Sequence, residues 1–335
     1  MGAITNRRSP SWIKRMEPHK RTHFNPLGAP ALSSLRAPIV RIEDHKSEVT
    51  SCDFHPSGKF ILSGNSKGQI YLCDIYGTFS KTMLFKGHAD SVTETHFSRD
   101  GFDFYTCSKD GTIGIWDTFR GYRKARLECH EDGVNCVQGG RLAYPILCSG
   151  SDDGTVRLWD AREKECVLTL NNTSTVTATC FTADGDYVIS GGHDSDIKIW
   201  DLRTCEIVCK LRGHIGKVTG LSLSPCGSYL LSHSVDNTLR VWDIRPHVTF
   251  KRCVGCFSSY QFFPSALLRC AWSPDGTMIS AGTSDRDVFV WDALTGETLH
   301  ELSGHESAIN DVTFHPKESI ILSASKDNYL FLHEL

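Results

Sequence analysis

The sequence predicts an all-β fold, a seven-bladed β-propeller whose last blade is closed by a strand near the N-terminus. Three observations predict it. A Trp-Asp pair, or a near match, recurs at Cys73-Asp74, Trp116-Asp117, Trp159-Asp160, Trp200-Asp201, Trp242-Asp243, Trp291-Asp292 and His333-Glu334, at spacings of 43, 43, 41, 42, 49 and 42. Each interval reads as four short strands divided by turns, as in Val176–Phe181, Tyr187–Ser190, Ile197–Trp200 and Glu206–Leu211. The seventh unit reaches Leu335 directly after its third strand, while Pro38-Ile39-Val40-Arg41-Ile42 forms an unpartnered apolar strand ahead of the first unit. Residues 38–43 are therefore expected to complete the last blade, because closure removes the edges that an open ring would leave.

A period of this length with this ending is the WD40 repeat signature. The propeller is expected over 38–335. No stretch approaches the roughly 18 apolar residues of a membrane helix, and the polar N-terminus lacks a secretory signal, so an intracellular protein with no membrane contact is expected. The 14 cysteines are then expected as reduced thiols. Cys52, Cys136, Cys180 and Cys270 sit in apolar runs and read as small core residues. The close pair Cys253 and Cys256 lacks the second ligand pair of a zinc site. No metal, cofactor or small-molecule substrate is expected.

Six units place an Asp six residues before the Trp-Asp slot: Asp110, Asp153, Asp194, Asp236, Asp285 and Asp327. Four residues earlier stand Thr106, Ser149, Ser190, Ser232 and Ser323, with Ala281 in the remaining unit. His45, His88, His130, His214 and His305 lie about 22 residues upstream of the Asp slot. Ser, His and Asp in one unit suggest a hydrolase. A nucleophile is needed once, however, beside an oxyanion site, whereas this set repeats around a ring. The expected role is structural: hydrogen-bond networks that include Trp116, Trp159, Trp200, Trp242 and Trp291, with no catalytic residue. The first unit has Lys67 and Cys73 at the Asp and Trp positions. The fourth has Asn171-Asn172 for Gly-His, and the sixth lacks Gly-His and the Ser. Those three blades are expected to depend more on packing and less on the polar network.

Residues 1–37 fall outside the repeat. They carry seven Lys or Arg against Glu17 alone, a charge of +6, leaving the rest at −9 for a whole-chain charge of −3. This basic arm, with four prolines, is expected to be disordered and suits contact with RNA phosphates or acidic protein. The long spacing before Trp291 marks an insertion over about Pro246–Leu267. Arg252–Phe257 is expected as an outer strand. The aromatics Phe250, Phe257, Tyr260, Phe262 and Phe263 are candidate binding anchors, Phe257, Tyr260, Phe262 and Phe263 foremost. The alternative is that they fold back as a satellite core.

Particular runs narrow the likeness. SYLLSHSVDNTLRVWDIRP, LLRCAWSPDG, SSLRAPIV, SGSDDGTVRLWD and ISGGHDSDIKIWDLR, together with the missing Gly-His of blade four and the long fifth-to-sixth connection, resemble the WD-repeat subunits of the U5 small nuclear ribonucleoprotein (U5 snRNP). The resemblance runs from about Ser33 to Leu335. It implies a nuclear spliceosomal protein without enzymatic activity or cofactor. Such a protein would serve pre-mRNA splicing by docking on the large U5 scaffold protein among other spliceosomal proteins, as a monomer within the larger complex.

A different class is also suggested. Arg162, Arg203 and Arg245 complete Trp-Asp-x-Arg motifs, similar to those by which substrate receptors dock on cullin-RING ubiquitin ligases; local pairing of each Arg with a blade-edge carboxylate is the plainer expectation. In either class, partners are expected at the loops rimming the channel, where Ser66, Lys109, Asp152, His193, Val235, Ser284 and Lys326 precede the Asp slot. Their mixed chemistry suits protein better than nucleic acid.

Overall fold

The computed structural model describes residues 35, 37–76, 83–140, 146–246, 248, 252–258 and 268–335. Among them the chain forms seven four-stranded antiparallel sheets, each one blade. In blade one the strands run Val49–Phe54, Phe60–Asn65, Gln69–Asp74 and Met83–Lys86. The first strands of blades two to six are Val92–Phe97, Val134–Gly139, Val176–Phe181, Val218–Leu223 and Cys270–Trp272. These first strands pack on one another around the channel.

Blade seven uses Ile309–Phe314, Ile320–Ser325 and Leu330–Glu334, and its outer strand is β1 (Ile39–Ile42). Ile39 pairs with His333 and Ile42 with Leu330, so the strand expected over 38–43 closes the ring. The outer strand of blade five, expected over Arg252–Phe257, lies at Cys253–Ser258.

Each junction between blades holds its own core. Between blades four and five, for instance, Ile189, Ile197, Leu211, Val218, Leu230 and Trp242 are buried together. Each such side chain contributes about 1.5–3 kcal/mol on burial. A single hydrogen bond nets only about 0.5–1.5 kcal/mol, so packing holds the blades together and polar groups fix their loops.

A bulge at the second residue of the first strand turns one polar side chain toward the next blade in six of the seven sheets. Thr93 Oγ1 donates to the Val134 carbonyl at 2.6 Å, Asn135 Nδ2 to Val176 at 2.8 Å, and Thr219 Oγ1 to Leu268 at 2.8 Å. Asn310 Nδ2 reaches Val49 at 2.7 Å across the closure. Thr50 and Thr177 make the same bond. At the sixth junction the backbone takes over, with Arg269 N donating to the Asn310 carbonyl at 3.2 Å.

A second set of stitches lies deeper in the channel. Asp311, Asp53, Glu94 and Gln138 accept the amides of Cys52, Phe97, Val137 and Phe181 in the following blade. Burial pushes the Asp311 carboxyl up to about 6 and raises Asp53 as well. Arg269 crosses from blade six. It pairs with Glu94 and donates to the Thr93 and Asn135 carbonyls at 3.0 and 3.3 Å, spanning the end of the channel where the first strands begin.

Candidate functional site

The repeated Ser-His-Asp sets form one chain of bonds per blade. In blade three Trp159 Nε1 donates to Ser149 Oγ at 2.8 Å. Ser149 Oγ lies 2.8 Å from His130 Nε2, and His130 Nδ1 lies 2.8 Å from Asp153 Oδ2. The carboxylate only accepts, so Nδ1 carries the proton and Nε2 takes the hydroxyl hydrogen. Blade two repeats this through Trp116, Thr106, His88 and Asp110 at 2.8, 2.8 and 3.1 Å. Blade five does so through Trp242, Ser232, His214 and Asp236 at 2.7, 2.7 and 2.9 Å. In blade seven His305 bonds Ser323 and Asp327 at 2.9 and 2.8 Å. Phe331 packs edge-on to that imidazole at 4.5 Å.

Each Asp also accepts a backbone amide of the loop entering its blade, from Ala89, Glu131, Ile215 or Glu306. Burial works to raise the Asp153 carboxyl, but bonds from Thr155 and His130 outweigh it and hold it at about 2. Burial lowers His130 and His214. The hydroxyls of Thr106, Ser149, Ser232 and Ser323 are fully buried. Those of blades two, three and five are further occupied by an indole proton. A substrate carbonyl cannot reach such an oxygen, so the sets act as struts and not as nucleophiles.

The irregular blades depart from this in three ways. In blade one His45 Nε2 lies 2.7 Å from Ser63 Oγ, but with Lys67 in the Asp slot His45 Nδ1 is buried without a partner, and burial lowers its pKa to about 4. Blade four corrects the expectation of a weaker polar network. Trp200 still donates to Ser190 at 2.8 Å. The buried Lys198 ammonium takes the place of the imidazole, pairing with Asp194 and donating to Asn172 and to Thr173 Oγ1. Blade six corrects the placement of Asp285 and Trp291 in a network. With Ala281 for the hydroxyl and no His, neither residue joins such a chain. Thr283 secures the turn by donating to the Asp287 carbonyl at 2.9 Å, and Trp291 is buried in the apolar core shared with blade five.

The rim residues lie at corresponding positions around the channel end where the first strands begin. The amides of Ser66, Lys109, Asp152, His193, Val235 and Lys326 each donate to the loop carbonyl preceding the first strand of their own blade, which fixes the loop's height. Lys109 Nζ bonds Asp152 and Asn135 Oδ1, both at 2.7 Å, joining blade two to blade three. Lys326 Nζ lies 3.9 Å from Glu48 of blade one. Asp152 is held below the usual carboxylate range because Lys109 and Asn135 outweigh burial. His193 is exposed, while Ser66, Val235 and Ser284 are half-buried.

Phe257, expected as an exposed anchor, is instead buried beside Trp291, with ring centroids 6.5 Å apart. Its strand position turns it into the core between blades five and six, the fold-back alternative. Phe250, Tyr260, Phe262 and Phe263, and nearly all of the arm 1–37, lie outside the described residues.

Sequence reasoning missed Lys198, the Thr and Asn bulge bonds, the channel carboxylates and Arg269. The bulge residues had a signal, since Thr or Asn recurs at the second position of the first strand. Arg269 had none, because its partners lie far away in the chain.

Comparison with known proteins agrees with this geometry. The WD domain, G-beta repeat model matches seven times, at 36–74, 78–117, 121–160, 164–201, 205–243, 252–292 and 296–334. The "U5 small nuclear ribonucleoprotein 40 kDa protein" of Homo sapiens is 46% identical over 92% of this chain and 87% of its own length. The protein of the same name from Dictyostelium discoideum is 38% identical over 92% and 88%. "Pre-mRNA-splicing factor cwf17" of Schizosaccharomyces pombe is 36% identical over 90% and 89%.

The chain belongs to the WD40 family of the U5 snRNP 40 kDa protein.

This is a non-catalytic family, consistent with struts in place of a triad. In this U5 40 kDa family member the Trp-Asp-x-Arg arginines are engaged locally. Arg162 bonds Asp160, Arg245 bonds Asp243, and Arg203 bonds Asp186.

Proposed function

We propose that this chain is a non-catalytic scaffold of the U5 snRNP that serves pre-mRNA splicing in the nucleus and docks on the large U5 scaffold protein. The observation that carries the reading is family likeness along nearly the whole propeller, including the irregular blades. A rigid ring whose chemistry is spent on its own loops supports it. The rim residues Ser66, Lys109, Asp152, His193, Val235, Ser284 and Lys326 are the proposed protein-binding face. The +6 arm is the proposed RNA contact, since cations released from phosphates favour such binding.

Co-purification of the full chain from nuclear extract tests this. U5 RNA and the large scaffold protein are the expected companions. Recovery of a cullin-RING adaptor without U5 RNA would overturn the reading in favour of a substrate receptor. A Lys109→Glu, His193→Glu, Lys326→Glu variant should keep its circular dichroism spectrum and lose the scaffold protein. Unchanged recovery would remove the rim from the docking site.

A further inference from the structure

The face opposite the rim carries the turns after the first and third strands of each blade. On it an imidazole ties blade seven to blade one and another ties blade one to blade two. His315 Nε2 donates to the Gly58 carbonyl of blade one at 2.8 Å, and His55 Nε2 donates to the Gly101 carbonyl of blade two at 3.1 Å. Blades two, four, five and six have Ser98, Thr182, Ser224 and Ser273 at the equivalent position, too short to make this contact. Blade three offers Gly139-Gly140 in place of a turn of the Ser-x-Asp-Gly kind. At the mouth of the channel on this face, across blades one to four, there is a cavity of about 550 Å³, lined by Asp53, Phe54, His96, Phe97, Gly139 and Ala183. His96 Nδ1 is buried there without a partner. Arg269 spans the opposite end of the channel, so the cavity is reached from the turn face.

An apolar shelf continues outward from the cavity. His55 packs edge-on against Phe97, which lines the cavity, and against Phe119, with centroids 5.0 and 6.0 Å apart. Phe119 packs on Phe60 at 6.0 Å. Phe102, Phe119 and Tyr122 are 64%, 50% and 47% exposed, a concentration of aromatic surface that solvent alone does not favour.

Cations outnumber carboxylates at the surface of this shelf. Lys59, Arg99 and Arg120 are exposed. The carboxylates of the same turns are engaged by their own loops, although Asp100 is itself exposed. Asp100 accepts the Ser98 hydroxyl and the Phe102 amide, Asp117 accepts the Phe119 and Arg120 amides, and Lys124 bridges Asp103 and Asp117.

We infer that the turn face over blades one to three is a docking surface for an extended segment of a partner protein carrying bulky apolar side chains beside carboxylates. The apolar groups lie on the Phe60–Phe119 shelf and enter the cavity, and the carboxylates meet Arg99 and Arg120. The chain's own +6 arm has the wrong charge for this site. RNA is disfavoured because the propeller as a whole is acidic.

Panning a random-peptide library on the purified full chain tests the inference without any spliceosomal component, so its failure is separate from failure of the proposed function. The expected winners combine Phe, Trp or Leu with Asp or Glu. A synthetic winner should lose at least about tenfold in affinity to a Phe119→Ser, Arg120→Glu variant. It should also weaken with Arg99→Glu alone. Ile215→Ser, at an even more exposed apolar site on the rim face, should leave binding unchanged. Winners rich in Lys or Arg would overturn the assignment. So would peptides indifferent to both shelf variants, displacement of the winner by polyuridine, or a dimer in light scattering that Phe119→Ser dissolves.

Discussion

Blades three and four stand side by side with the same strand order, yet they anchor their loops with different chemistry. Blade three uses a neutral imidazole between a hydroxyl and a carboxylate. Blade four uses a buried ammonium on a carboxylate, and its serine serves the indole alone. The ring thus requires that the turn carboxylate be held, and leaves open what holds it. An imidazole relays between two partners and is lost to acid. An ammonium contributes a stronger pairing but leaves the hydroxyl out of the relay, and it commits the fold to a buried charge.

The difference can be broken globally with acid, where the largest effect is expected. His45, His233 and His333 sit at about 4 because burial disfavours their charged forms. Their folded values lie below the unfolded one, so their contribution is whole above about pH 6.5 and is lost as pH falls toward 4. Asp311, raised to about 6 by burial, has the opposite sign and offsets part of the loss. Asp53 is raised in the same direction, but with His130 and His214 lowered as well the imidazoles outnumber these carboxyls and should leave a melting temperature that drops steadily from pH 7 to 4.5. A flat profile would contradict the neutral-imidazole account. Below that, Asp153 and Asp236, both at about 2, should lose their contribution as pH falls from the unfolded value toward 2.

Among single substitutions, Lys198→Met should be the most damaging. It strands Asp194 beside buried groups and should cost about 3–5 kcal/mol in urea denaturation. Ser149→Ala comes next, since it leaves both the Trp159 indole and His130 Nε2 without partners, at about 1–3 kcal/mol for each orphaned group. Ser190→Ala orphans only the Trp200 indole and should cost about half as much as Ser149→Ala in the same assay. Equal losses would erase the distinction between relay and direct pairing. Asp285→Ala in blade six should fall within about 0.5 kcal/mol of the parent, because no strut passes through it.

The propeller was legible in the sequence because its signal repeats. The Trp-Asp spacing, the strand-and-turn rhythm and the leftover strand at 39–42 each report a local pattern. The struts of blades two, three, five and seven were legible for the same reason. Lys198 was not, because a lysine reads as solvent-facing by its charge even where alternation puts it on the same face as the buried Trp200. Only the fold shows that Asn172, Thr173 and Asp194 converge on it. The turn-face cavity was hidden because its lining comes from blades one to four, residues far apart in the chain that only the ring brings together. Phe257 misled because an aromatic in an insertion reads as exposed until its strand register is known.

The pairing of Ile39 with His333 sets a clock on biogenesis. The strand that closes the ring is synthesised before all of the intervening blades, and its partner after them. At about 5–20 residues per second, the early strand waits roughly 15–60 s while the intervening blades emerge. Through that interval the nascent ring has two raw edges, one at each end of the growing arc. Its demand for chaperones should therefore peak just before the final blade appears and vanish once the latch engages.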